Sequence, residues 1–126
     1  MAERCVLAIE RNWQMRKLIR ANLEPLGLEV REAVTEKHGL ERLGEGQPDL
    51  ILLDLDLPNS EGWHLLDTFE ERFDRQPVPV VLMSAEPPGR EVMRNRTVVG
   101  HLLKPFGVLA LLEQVRSLLD TRRAPS

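Results

Sequence analysis

The chain predicts an α/β protein, a doubly wound parallel sheet of five strands with helices on both faces. Three observations carry that expectation. Short apolar runs of strand length recur along the chain, and the best of them are continuous rather than alternating, as in strands buried on both sides. Between them lie segments whose apolar residues recur at helical spacing. The 126 residues, 42% of them hydrophobic, suffice for one domain with a real core.

The elements follow in order. Cys5 to Ile9 (CVLAI) is the first strand. Asn12 caps a helix in which Met15, Leu18, Ile19, Leu23 and Leu26 share a face, and Gly27 closes it. Leu28 to Ala33 is the second strand, with Leu28, Val30 and Ala33 inward. Thr35 caps a short helix through Leu43, ended by Gly44 and Gly46. Asp49 to Leu53 is the third and most apolar strand. A loop through Gly62 leads to a helix from Trp63 to Phe73 carrying Leu65, Leu66 and Phe69. Val78 to Met83 is the fourth strand. Pro87, Pro88 and Gly89 argue against a long helix over 87–97. Gly100 to Leu103 is a fifth, short strand, and Val108 to Leu119 an amphipathic helix with Leu111, Leu112, Val115, Leu118 and Leu119. The domain is expected over 1–120, and TRRAPS over 121–126 reads as a disordered tail or the start of a linker.

Composition excludes several classes. A net charge of -3 without clustered cations gives no support for a nucleic-acid surface. The single cysteine, Cys5, forms no disulfide framework and reads as a small buried hydrophobe in a reducing, cytoplasmic setting. No apolar run approaches the roughly 18 residues of a membrane span, and the N-terminus is too short in apolar residues for a signal peptide. His38 and His64 lie on helices without metal-ligand spacing, and Trp13 and Trp63 read as packing residues near the site loops.

In a doubly wound sheet, ligands bind at the carboxyl ends of the strands. Glu10 and Arg11 follow the first strand, Asp54 and then Asp56 the third, Ser84 the fourth, and Lys104 with Pro105 the fifth. A parallel sheet gathers all of them on one edge. The set suits a phosphoryl group. A carboxylate is a nucleophile that forms an acyl phosphate. A lysine is a point charge for a phosphate oxygen. A hydroxyl donates to another oxygen, and oxygen ligands hold Mg²⁺. Each residue alone has a plain structural explanation: Asp54 and Asp56 as loop and cap acids, Ser84 satisfying a strand-end amide, Lys104 on the surface, Glu10-Arg11 in a solvated turn, His101 half-buried in packing. The ordered combination favours the phosphoryl reading.

At these residues the chain resembles the receiver domain of two-component response regulators, through VLAIERNWQMRKLI, PDLILLDLDLPNSEGWHLL, VPVVLMSA and LLKPF, from Arg4 to Leu119. The resemblance implies a flavodoxin-like sheet of strand order 2-1-3-4-5, and a signalling module rather than an enzyme. It implies Asp54 as phosphoacceptor from a histidine kinase or phosphotransfer protein, with Ser84 and Lys104 contacting the phosphoryl group. Asp56 would offer a backbone carbonyl to Mg²⁺ and a side chain facing the phosphoryl group, beside metal ligands Glu10 and Asp54. Pro58 and Gly62 match the loop after the acceptor, Pro105 the usual cis-proline, and His101 the position of a switching aromatic residue. It further implies a downstream protein target or fused effector, and homodimers in some cases, with no direct contact to nucleic acid or membrane.

One position departs. The family carries an acidic pair after the first strand, whereas this chain reads Glu10-Arg11. The residue that would be the direct Mg²⁺ ligand is a cation. The exchange moves the local formal charge two units toward positive. An ion pair near a surface is worth roughly 4 kcal/mol before desolvation. Three consequences are open: Arg11 takes the metal's place against Asp54, Arg11 points to solvent and leaves a weakened metal site, or the domain is a pseudo-receiver that acts through its surface alone. Impaired Mg²⁺ binding is the expectation. A further similarity, of ILLDLDLP to the DxD opening of haloacid-dehalogenase-like phosphatases, fits less well. That motif opens its family, and after Lys104 only Glu113 and Asp120 remain as acids, both in the last helix.

Overall fold

The computed structural model describes residues 4–73 and 76–123, and the side chains of residues 4–73 and 76–119. Five strands, β1 (Cys5–Ile9), β2 (Glu29–Ala33), β3 (Leu50–Asp54), β4 (Val80–Ser84) and β5 (Val98–Leu103), alternate with helices α1 (Trp13–Leu23), α2 (Glu36–Leu43), α3 (Glu61–Arg72), α4 (Arg90–Met93) and α5 (Val108–Arg123). The strands form one sheet in the order β2-β1-β3-β4-β5, every pairing parallel. The order turns back between β1 and β3, where Ile9 lies beside Leu53, so the chain leaves both strands at the same edge.

The strands are apolar on both faces because both faces are covered. Leu7 and Ile9 of β1, Ile51 and Leu53 of β3 and Val80 and Leu82 of β4 pack with Leu43, Leu65, Leu66, Phe69 and Val92 from α2, α3 and α4. Their neighbours Val6, Ala8, Leu50, Leu52, Val81 and Met83 point the other way, onto Ile19, Leu23, Leu111, Val115 and Leu119 of α1 and α5. Successive strand residues face opposite sides, so a run such as LILL feeds two cores at once. Each fully buried large side chain contributes about 1.5–3 kcal/mol. Sheet and helices therefore hold the strand ends, where the polar residues sit, on a stiff frame.

Several boundaries differ from expectation, each for a local reason. α1 stops at Leu23, and Glu24–Leu26 form a 3-10 turn. Pro25 has no N–H to continue the ladder, and Gly27 then closes the turn at φ 84, a left-handed conformation that glycine adopts without strain. Leu26 therefore leaves the helical face and is exposed. β3 includes Asp54, paired beside Met83, so the carboxylate sits on the strand and not just beyond it. β4 starts at Val80, and β5 is longer than its short apolar core, starting at Val98. α3 begins at Glu61, ahead of Trp63. α4 is a single turn, as Pro87, Pro88 and Gly89 require. α5 continues through Arg123, past the expected start of the tail, while the rest of TRRAPS, 124–126, lies outside the described residues. No helix among the described residues is long and apolar enough to cross a membrane.

Candidate functional site

β1 and β3 deliver the two acids of the site. Glu10 follows Ile9 directly and is 1% exposed, and Asp54 ends β3 at 3%. Burying two carboxylates together needs a counterion, and β5 supplies it. Lys104 Nζ lies 2.9 Å from Glu10 Oε1 and 3.0 Å from Asp54 Oδ1. The Lys104–Pro105 peptide that follows is cis. The Lys104 N–H donates to the Ser84 carbonyl, which ties the ends of β4 and β5 together under the ammonium.

The remaining donors are divided among the acids. The Asn12 N–H donates to Glu10 Oε2 at 3.0 Å, and the Asp56 N–H to Asp54 Oδ1 at 2.8 Å. Glu10 Oε1 has the Lys104 charge close by but no aligned hydrogen bond, and it is inaccessible to water. Burial pushes the Glu10 carboxyl above the ordinary carboxylate range; the Asn12 N–H and Lys104 oppose this, while the nearby Asp54 adds to it. Burial on its own would lower the Lys104 ammonium, but Glu10 and Asp54 outweigh it and its pKa is raised.

Ser84 and His101 form a second layer. Ser84 Oγ donates to the Glu86 carbonyl and lies 2.8 Å from His101 Nε2. A hydroxyl has one proton, so with that proton on Glu86 the imidazole Nε2–H is the donor to Ser84 Oγ. Burial lowers the His101 pKa, with Asp56 opposing it in part, which favours the neutral ring. Asp56 itself is exposed, and its Oδ2 accepts from the Ala85 N–H at 2.8 Å. Its side chain thus braces the loop after β3 against the loop after β4.

The loop after β3 turns through Asn59 and Ser60, both at positive φ, and enters α3 at Glu61, with Gly62 next. A Cβ on Gly62 would lie 2.7 Å from the Asp54 carbonyl oxygen and 3.0 Å from Leu55 Cα. Glycine here lets α3 press against the backbone that carries the Asp54 carboxylate.

Arg11 does not join the site. Its side chain is exposed and makes no ion pair with Asp54 among the described residues; Lys104 holds that place. Arg16 fixes the backbone at this turn. Its Nη1 donates to the carbonyls of Glu10 at 2.8 Å and Arg11 at 3.0 Å, and its Nε to Glu32 on β2 at 2.9 Å. This clamp was not legible in the sequence, because one arginine on an amphipathic helix carries no signal of which carbonyls it will meet. The two tryptophans are also not packing residues: Trp13 is 61% and Trp63 45% exposed. His64 lies 3.3 Å from Glu36 on the surface, away from the acids.

Comparison with known proteins agrees with this geometry. The response regulator receiver domain family matches residues 6–116. The KDP operon transcriptional regulatory protein KdpE of Escherichia coli is 33% identical over 121 residues, covering 94% of this chain and 52% of the relative. The phosphate regulon transcriptional regulatory protein PhoB of Rhizobium meliloti is 30% identical over 123 residues, again covering 94% and 52%. Among solved structures, a two-component response regulator from Clostridium difficile superposes with a TM-score of 0.84 at 19% identity, covering 97% of this chain and 100% of that one, and so shares the fold. The chain belongs to the response regulator receiver domain family. It is a two-component signalling domain, a class built to take a phosphoryl group on an aspartate and to switch a partner. It spans about half the length of these curated relatives, at 52%.

Proposed function

We propose that Asp54 is the phosphoacceptor, taking its phosphoryl group from the phosphohistidine of a kinase or phosphotransfer protein. One observation carries this reading: Lys104 Nζ stands 3.0 Å from a buried Asp54 oxygen at the carboxyl edge of the sheet. An Asp54 oxygen forms the new P–O bond as the donor's P–N bond breaks. The electron pair goes to the imidazole nitrogen, which takes up a proton. Lys104 stays beside the transferred oxygens and offsets charge that grows there. Asp56 N–H, already on Asp54 Oδ1, keeps the carboxylate oriented.

Switching follows from the second layer. The product carries about −1.5 to −2 charge, which draws the Ser84 proton from the Glu86 carbonyl to a phosphoryl oxygen. A Ser84 side chain that turns to the phosphoryl group withdraws its Oγ from His101 Nε2, which is then free to reorient on β5. The exposed Val99 and Leu103 of β5 and Met93 of α4 form the surface on which the change is read, by a target protein, a fused effector or a second copy. The names of KdpE and PhoB favour a fused effector. A domain that closes with α5, a cytoplasmic location and a role as signalling module rather than enzyme accord with this reading. Receiver domains typically bind Mg²⁺, with Glu10, Asp54 and the Asp56 carbonyl in the corresponding places here. The donor set fits a resident Mg²⁺ poorly. No three acidic, histidine or cysteine side chains gather for a metal among the described residues, and the facing oxygens of both carboxylates are held by Lys104.

The test is the intact mass of the chain after incubation with phosphoramidate, a small phosphodonor. One phosphoryl adduct, absent from Asp54→Asn, is expected. No adduct under any condition would instead support the phosphorylation-independent module that Arg11 brings to mind.

A further inference from the structure

We infer that Arg11 is the built-in counterion of the phosphorylated site, so that phosphorylation of this domain proceeds without a divalent metal. The inference rests on Asp54 being the acceptor. It starts from charge. Two buried carboxylates face one ammonium, which leaves the resting site one charge negative. A phosphoryl group deepens that to nearly two, next to a Glu10 that is 1% exposed and whose Oε1 has no aligned donor. The product needs more positive charge than Lys104 provides. The exchange of an acid for Arg11 supplies two units, the charge of one divalent cation.

Geometry gives Arg11 the means. Its peptide is pinned at the rim of the site by Arg16, which holds the Glu10 and Arg11 carbonyls and is itself held by Glu32. Its side chain is exposed, with no hydrogen bond or ion pair among the described residues. Moving it over the site therefore breaks no hydrogen bond or ion pair among the described residues. A guanidinium presents two parallel N–H groups to two oxygens of a phosphoryl group, a match that an ammonium lacks. Lys104 and Arg11 thus have separate duties: Lys104 holds the acids in the resting state, and Arg11 closes over the product.

The experiment compares phosphoramidate labelling in EDTA and in Mg²⁺ for the parent chain, Arg11→Lys, Arg11→Gln and Arg11→Asp, with Asp54→Asn as control and circular dichroism to confirm folding. The parent is expected to label at the same rate in both buffers. Arg11→Gln should slow about a hundredfold in EDTA, the usual scale for losing a donor to developing charge, and Arg11→Lys should keep most of the rate. Arg11→Asp should label only with Mg²⁺. Mg²⁺ titration of the unphosphorylated chain, followed by the exposed Trp13, should be flat in the parent and saturable in Arg11→Asp. A parent that labels only with Mg²⁺, or an Arg11→Gln that labels in EDTA like the parent, overturns the inference and leaves Asp54 as acceptor. Labelling absent from the parent but present in Arg11→Asp overturns both readings.

Discussion

Replacing Lys104 by methionine keeps most of the side-chain volume and removes the single ammonium between two buried acids. Glu10 Oε1 and Asp54 Oδ1 lose a charge partner at 2.9 and 3.0 Å. Removing one partner of a buried pair costs about 3–5 kcal/mol. The Lys104 side chain is 19% exposed, so water screens part of this, and the lower end, about 3 kcal/mol, is expected at pH 8. Glu10 gives the loss a pH signature. Its folded pKa is already raised by burial, and without Lys104 it rises further. A raised carboxyl pKa favours folding below the unfolded value of about 4.3, an advantage lost as pH rises through the folded value. The penalty in Lys104→Met is therefore full at pH 8 and shrinks toward pH 5 as Glu10 takes up its proton. Urea unfolding at both pH values measures it. With a slope of about 1–3 kcal/mol/M, the midpoint should fall by at least about 1 M at pH 8. A variant as stable as the parent at pH 8, or equally weakened at both pH values, would refute the reasoning.

Three further outcomes are expected. Gly62→Ala forces a Cβ against the Asp54 carbonyl oxygen at 2.7 Å, so it should destabilise by about 1–3 kcal/mol despite the better helix propensity of alanine, read as a lower urea midpoint. The Cys5 thiol is buried and pushed up to about 11, first by burial, so iodoacetamide at pH 8 should leave native protein unlabelled and modify it quickly in urea. His101 has a lowered pKa from burial, so it contributes stability that is present above about pH 6.5 and lost as pH falls through its folded value. His101→Asn should flatten that part of the stability-pH profile between pH 7.5 and 5, while leaving the opposite slope from Glu10 in place.

The gathering of the candidate site residues and most of the fold were legible in the order of residues. CVLAI, LILL and VVLM are continuous apolar runs of strand length, and with helical segments between them they read as strands covered on both faces. Asn12 and Thr35 announced the helix starts they cap, and both side chains accept the expected backbone N–H groups. Parallel strands then bring Glu10, Asp54, Ser84 and Lys104 to one edge without further information. The end of α1 was misjudged because helical spacing continues through Leu26, while the missing N–H of Pro25 ends the ladder sooner. The exposure of Trp13 and Trp63 escapes the sequence for a different reason: aromatic residues usually pack, and only the tertiary arrangement shows how much of these two is left uncovered.

By itself the sequence determined which chemistry is present and on which edge of the sheet it gathers, since alternation and strand polarity are local properties of the chain. Which cation faces the acids was decided by tertiary structure alone. Lys104 arrives from β5 and Arg11 from β1, both are cations beside the same carboxylates, and no local rule ranks them. Arg16 reaches from α1 to hold the backbone carbonyls of Glu10 and Arg11, while Glu32 of β2 holds it. That clamp links α1 to the end of β1 and to β2, so it exists only once these elements are packed together. Lys104 stands on the acids and the Arg11 side chain is exposed.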